Sequence, residues 1–108
     1  MNIVLLYAMQ AEAEPFLQAV GANEVDCPGA SWLPFRLFQF CVHGHRVHAM
    51  VSGADARFQV DNIGLEAATL MAYTAIHHLA PDLLISAGTA GGFEALGANI
   101  GTVYLADH

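Results

Sequence analysis

Apolar positions along the chain recur with two different periods, and their alternation predicts an α/β fold. Residues 2–7, Asn2-Ile3-Val4-Leu5-Leu6-Tyr7, form a continuous run of β-branched and aliphatic side chains, the pattern of a strand buried on both faces. In residues 12–20 the apolar positions Ala13, Phe16, Leu17 and Val20 follow a helical spacing that Gly21 ends, with Pro15 expected in the first turn, where a missing N–H costs little. Residues 23–34 contain Pro28, Gly29, Ser31 and Pro34 and read as a loop. Residues 35–42 and 46–51 are strand-like, and His43-Gly44-His45 between them is short enough for a hairpin turn. From about residue 59 to 79, Val60, Ile63, Gly64, Ala67, Ala68, Met71, Thr74 and Ala75 mark one face of a long helix. Pro81 stops that helix, and residues 83–87 and 103–106 read as two further strands. The order means an α/β domain with a mixed β-sheet, not a helix bundle or a sandwich.

With 108 residues there is room for one domain. An apolar content of 56% is high for that length, because a small domain buries only part of its surface. Some of that surface is therefore expected to be covered by a partner subunit or by a continuation of the chain. Residues 101–108 read as a strand that stops with no capping element behind it. There is no lysine, and Arg36, Arg46 and Arg57 stand against ten acids, for a net charge of −7. Such a balance argues against nucleic acid and against an anionic membrane surface as partners. No apolar run approaches a membrane span, and the first residues lack the positive segment of a secretory signal. Cys27 and Cys41 have no metal or redox spacing and read as free thiols of a cytoplasmic protein.

The chemistry concentrates where the strand Leu83-Leu84-Ile85-Ser86-Ala87 runs into Gly88-Thr89-Ala90-Gly91-Gly92-Phe93. A strand ending in glycines lets a ligand approach main-chain N–H groups, since glycine lacks a Cβ and tolerates positive φ. The turn has neither the spacing of a dinucleotide fingerprint nor the lysine of a P-loop. Its N–H groups and the Thr89 hydroxyl remain available to a ligand. A second strand end, Tyr7-Ala8-Met9, leads into Gln10-Ala11-Glu12-Ala13-Glu14, and two such ends can meet over one site. Partial burial of Glu12 is expected to raise its pKa toward that of a general base. The position equally suits an acid that favours the start of a helix, which is the reading of Glu14. His43, His45 and His48 are joined by no Cys or acid at ligand spacing, so no metal site is expected, and His77 and His78 suit a helix C-terminus.

Ala8-Met9-Gln10-Ala11-Glu12-Ala13-Glu14-Pro15, Ser52-Gly53, Ala80-Pro81-Asp82-Leu83-Leu84-Ile85, Ala87-Gly88-Thr89-Ala90-Gly91-Gly92-Phe93 and Gly97-Ala98-Asn99-Ile100-Gly101, in this order, resemble the nucleoside phosphorylase/hydrolase superfamily. Within it they look most like the 5′-methylthioadenosine/S-adenosylhomocysteine nucleosidases, the plant-type enzymes in particular. The resemblance implies a three-layer α/β fold, here the N-terminal part of the domain and incomplete at its C-terminus. It also implies a homodimer, no cofactor, and hydrolysis of a purine nucleoside to adenine and a 5-thioribose. The glutamate that activates water falls on Glu12, and the methionine lining the ribose and alkylthio side falls on Met9. The hydroxyl residue near water and base falls on Thr89, with Ala90, Gly91 and Gly92 beside the purine. An aliphatic pocket position falls on the smaller Ala54.

Breaking a C–N glycosidic bond through an oxocarbenium-like sugar requires an acid at the purine and a base for water on the opposite face. Glu12 suits the second role. The resemblance assigns the acid, a ribose-binding glutamate and a base-stacking aromatic to a C-terminal half that this chain does not contain, so the chain is expected to be a fragment of a longer protein. Phosphorylases of the superfamily hold phosphate with arginines, one of them on the strand before the glycine turn, where this chain has Ser86-Ala87. Arg57 is the one residue expected to reach an anion. A nucleoside phosphorylase, a futalosine-type hydrolase, and a catalytically incomplete nucleoside-binding or dimerisation fragment stand as alternatives.

Overall fold

The computed structural model describes residues 1–106. Five strands form one mixed sheet, β1 (Asn2–Tyr7), β2 (Asn23–Val25), β3 (Arg36–Val42), β4 (His45–Val51) and β5 (Leu83–Ala87), in the order β2-β3-β4-β1-β5. β1 lies between β4 and β5 and is parallel to both, whereas β2–β3 and β3–β4 are antiparallel. The helices are α1 (Gln10–Val20) and α2 (Leu65–Leu79), with a single 3-10 turn at Glu94–Leu96.

The helices cover opposite faces of the sheet, which gives the three layers. Ala13 and Leu17 of α1 pack with Tyr7, Phe38, Ala49 and Val51, while Met71 and Ala75 of α2 pack with Val4, Leu6, Phe35, Leu37 and Met50. Alternation along each strand produces this split: in β4, Val47, Ala49 and Val51 face one layer, and His48 and Met50 the other. β1 contributes to both cores, which is why its sequence is apolar from Ile3 to Tyr7.

His43 and Gly44 make the β3–β4 turn with φ of 47° and 79°, the paired positive φ values whose twist matches a two-residue hairpin. Gly53 follows β4 at φ 76°, and a Cβ there would lie 2.0 Å from the Pro34 carbonyl oxygen, so the chain can leave the sheet at this point only through glycine.

Four sequence-based expectations are corrected. α1 starts at Gln10 rather than residue 12, so Pro15 sits inside the helix, and the Ala11 carbonyl loses its usual i+4 donor. Residues 23–25 form an edge strand, because pairing with β3 and not apolar pattern defines it. The second helix starts at Leu65, since Asp55 organises a turn by accepting the N–H groups of Arg57 and Phe58, and Gln59 and Gly64 take positive φ. Val60 and Ile63, spaced for the buried face, are exposed in that loop. Residues 103–106 form no strand: Val103, Tyr104 and Leu105 are exposed, and among the described residues no strand lies beside them to accept their backbone groups. Asp107 and His108, the rest of that expected strand, lie outside the described residues.

Much apolar surface remains uncovered, as the composition anticipates. Leu65, Leu70, Tyr73 and Ile76 are exposed on the outer side of α2, and Leu83, Ile100, Val103 and Leu105 are exposed around β5 and the segment after it.

Candidate active site

The parallel register places Tyr7 between Val51 and Ala87, so β1, β4 and β5 end side by side. The residues that follow, Ala8-Met9-Gln10, Ser52-Gly53 and Gly88-Thr89, therefore converge at the carboxyl edge of the sheet. β1 is also where the connections diverge, one through α1 on one face and the other through α2 on the opposite face. Ligands of open α/β sheets bind at such a crevice.

Across this edge Glu12, in the first turn of α1, meets the turn after β5. The Thr89 N–H donates to Glu12 Oε1 at 3.0 Å, and the Thr89 hydroxyl donates to the same oxygen at 2.7 Å. Glu12 Oε2 is buried and has no hydrogen-bond partner. One carboxylate oxygen is thus committed to holding the side chain in place, and the other keeps its lone pairs.

The Thr89 N–H first, and its hydroxyl second, hold the Glu12 carboxyl below its ordinary value, against the opposite push of burial. This overturns the expectation that burial would raise it. The side chain is only half-buried, so desolvation is smaller than two hydrogen bonds made to the charged form. Glu12 is consequently an anion at neutral pH, ready to accept a proton without first losing one. Tyr7, whose phenol is pushed up by burial and then by the Glu12 carboxylate, stays neutral beside it.

A cavity of about 1000 Å³ opens beyond Thr89, between Gly88–Gly92 on one side and Ala98–Tyr104 on the other. Ala90, Gly91 and Gly92 line it with Thr89. Of the cavity's glycines, Gly101 takes positive φ, at 88°, whereas Gly88, Gly91 and Gly92 of the turn do not. What Gly92 supplies is space, since a Cβ there would meet the Ala98 Cβ at 2.7 Å, and a Cβ at Gly88 would touch the Glu12 carboxylate at about 3.5 Å. Met9 is the extended, partly exposed residue before α1 and lies outside this lining, as does Ala54. Ala54 lines a second groove, of about 380 Å³, with Trp32, Leu33, Pro34, Asn62 and Leu70.

Among the described residues no lysine or arginine lines the larger cavity. Arg36 pairs with Glu24 at 2.7 Å, and Arg57 lies over the Phe58 ring at 5.1 Å. Among the described residues no group of three His, Cys, Asp or Glu is placed to hold a metal ion. His43 is in the hairpin turn, His45 faces the amino terminus through Nδ1 at 2.9 Å, and His48 is buried in the sheet. No described helix is long and apolar enough to cross a membrane.

The sequence reading missed three residues around Glu12. Ser52 donates through its hydroxyl to the Ala8 carbonyl, Asp61 accepts the Gln10 N–H at 3.3 Å, and Tyr7 faces the Glu12 charge. Ser52 stood in a quoted motif, which was the available signal. Asp61 carried none, because its partner is 51 residues away.

A family model described as the phosphorylase superfamily matches residues 2–108. The chain belongs to that superfamily. It is 39% identical to a 5′-methylthioadenosine nucleosidase of Arabidopsis thaliana over 96% of its own length and 39% of the relative's. With a 5′-methylthioadenosine/S-adenosylhomocysteine nucleosidase of the same plant the identity is 36%, over 96% of this chain and 41% of that one. The structure of the Arabidopsis 5′-methylthioadenosine nucleosidase in apo form superposes with a TM-score of 0.83 at 37% identity, over 91% of this chain and 41% of that chain. This superfamily member thus spans about two fifths of the length of the relatives it matches.

Proposed function

We propose that this chain carries the water-activating part of an N-glycosyl hydrolase acting on 5′-methylthioadenosine, with S-adenosylhomocysteine as a second substrate. The observation that carries the reading is the Glu12–Thr89 pair. Two donors fix Oε1, and the unpartnered Oε2 is the oxygen that takes a proton from water as it attacks the anomeric carbon. The low pKa of Glu12 keeps the base ionised, and its fixed orientation saves the entropy of aligning it. Thr89, Ala90, Gly91 and Gly92 form the wall against which the purine lies, and Met9 and Ala54, which lie outside that wall, are assigned to the side of the sugar and its 5′-substituent. The acid that protonates the purine is not among the residues assigned to this site.

Water rather than phosphate is the nucleophile. A phosphate dianion needs arginine or lysine donors, and the cavity wall has none. The reading includes a homodimer in the cytoplasm, which the exposed apolar side of α2 supports as a surface in need of cover.

The test is product analysis of the native polypeptide with 5′-methylthioadenosine, with and without phosphate. Free adenine and methylthioribose in both conditions, lost in Glu12→Gln, are expected. Methylthioribose 1-phosphate formed only with phosphate would replace the hydrolase by a phosphorylase, and the absence of adenine in any condition would end the reading.

A further inference from the structure

We propose that Asp61 is a positioning residue for Glu12: its carboxylate caps α1 from a distant loop and so sets where Glu12 meets Thr89. The proposal rests on the reading of Glu12 as the base for water.

A helix begins with N–H groups that have no partner within it. The residue at the cap position of α1 is Met9, extended at φ −126° and ψ 141°, and its thioether makes no capping hydrogen bond. The Glu12 and Ala13 N–H groups turn to the Met9 carbonyl at 3.2 and 3.4 Å. The Gln10 N–H, at the first helical position, donates instead to Asp61 Oδ1 at 3.3 Å. A carboxylate there also faces the positive end of the helix.

Asp61 is not a loose surface acid. It is half-buried and bridges Ala54 in an antiparallel pairing, while the Asn62 N–H donates to the Gly53 carbonyl at 2.9 Å and the Asp55 N–H to the Val60 carbonyl at 2.8 Å. The root of the same excursion holds the other side of the junction, since the Ser52 N–H donates to the Tyr7 carbonyl at 3.2 Å and its hydroxyl to Ala8. One loop therefore grips the β1–α1 junction at Tyr7, Ala8 and Gln10. Glu12 lies two residues further in the same helical turn, and bonds of 2.7 and 3.0 Å to Thr89 leave little slack for that turn to shift.

The test compares Asp61→Asn and Asp61→Ala with wild type in the native polypeptide. Two readouts are taken: the carboxyl 13C titration of Glu12 without substrate, assigned with Glu12→Gln, and the pH dependence of kcat and KM for adenine release. The asparagine amide oxygen still accepts the Gln10 N–H, so Asp61→Asn is expected to keep both. Asp61→Ala is expected to lower kcat about 10-fold with little change in KM, and to move the Glu12 titration and the acid limb of kcat upward together. Tyr7, the other titratable group facing Glu12, is neutral across that range and does not contribute. Should Asp61→Ala fail to fold, Asp61→Ser, polar but too short to reach Gln10, takes its place.

A variant that melts earlier but leaves the Glu12 titration where wild type has it would overturn the proposal, as would an asparagine variant as impaired as alanine. If wild type releases no adenine, the proposed function falls, and the substrate-free titration still decides whether Asp61 positions Glu12.

Discussion

Replacing Thr89 by valine separates the two bonds that hold Glu12. The substitution keeps the branched shape and the N–H donor at 3.0 Å but removes the hydroxyl donor at 2.7 Å. A hydrogen bond to a charged acceptor contributes about 1.5–3 kcal/mol when shielded from water. Thr89 is exposed, which reduces the figure to roughly 1 kcal/mol. Because the bond favours the carboxylate, the folded-state pKa of Glu12 lies below its ordinary 4.5. The stability it contributes is thus present above that value and lost as pH falls through the lowered one.

Thr89→Val is therefore expected to be about 1 kcal/mol less stable than wild type at pH 7, with the difference vanishing in strong acid. Urea unfolding at the two pH values measures this, and the Glu12 carboxyl titration should move upward in the same variant. For adenine release the loss should stay below about 10-fold, because the backbone donor remains, whereas Glu12→Gln removes the base and costs on the order of 10²–10⁴-fold. A Thr89→Val enzyme as inactive as Glu12→Gln would refute the reasoning, since the hydroxyl would then take part in the chemistry itself. So would a stability difference that persists unchanged in acid.

The fold offers further tests. Gly53→Ala, with positive φ and a Cβ 2.0 Å from the Pro34 carbonyl oxygen, should lower stability by about 2–4 kcal/mol, read from the denaturation midpoint. Met50→Ala empties a fully buried position of β4 between β1, β3 and α2 and should cost about 2–5 kcal/mol in the same assay. Burial, and next Arg46, hold the His48 imidazole below its ordinary 6.5, so wild type loses stability as pH falls below that value, and His48→Leu should flatten this dependence in pH-resolved melting. The exposed Arg36–Glu24 pair should show a coupling below about 1 kcal/mol in a double-mutant cycle.

How much of this was legible depends on whether the determinant was local. β1 is read directly, because a strand that contributes to both cores is apolar from Ile3 to Tyr7, and β5 is read from the run Leu83-Leu84-Ile85, although the same kind of run at Val103-Tyr104-Leu105-Ala106 makes no strand. The β3–β4 hairpin is read from His43-Gly44, where the turn itself demands unusual φ values. The start of α2 was misread because Val60 and Ile63 keep helical spacing while the Asp55 turn and the positive φ of Gln59 break the backbone. Periodicity records side chains and is blind to that break. The same limit applies to β2, three polar or half-exposed residues made a strand by a neighbour on the far side of a loop. For Glu12 the position was legible and the electrostatics were not, since the sign of its shift depends on donors 77 residues away.

The conflict at Met9 shows why part of the site could not be local. The cap of a helix is best filled by Ser, Thr, Asp or Asn, whose oxygen serves the first N–H groups. An apolar residue at that position breaks the rule, and this chain places the break at the last residue of the β1–α1 junction, three residues before Glu12. If Met9 meets the sugar of a nucleoside, as proposed, a capping oxygen there would put a polar group against apolar substrate surface. Supplying the acceptor from Asp61 removes the conflict: the helix keeps a cap, and position 9 keeps an apolar side chain. The two roles separate experimentally. Met9→Ser gives α1 a local cap, so in the Met9→Ser/Asp61→Ala double variant the Glu12 titration should return toward the wild-type position while KM for 5′-methylthioadenosine rises. A double variant whose Glu12 titration stays where Asp61→Ala puts it would mean that capping is not what Asp61 contributes.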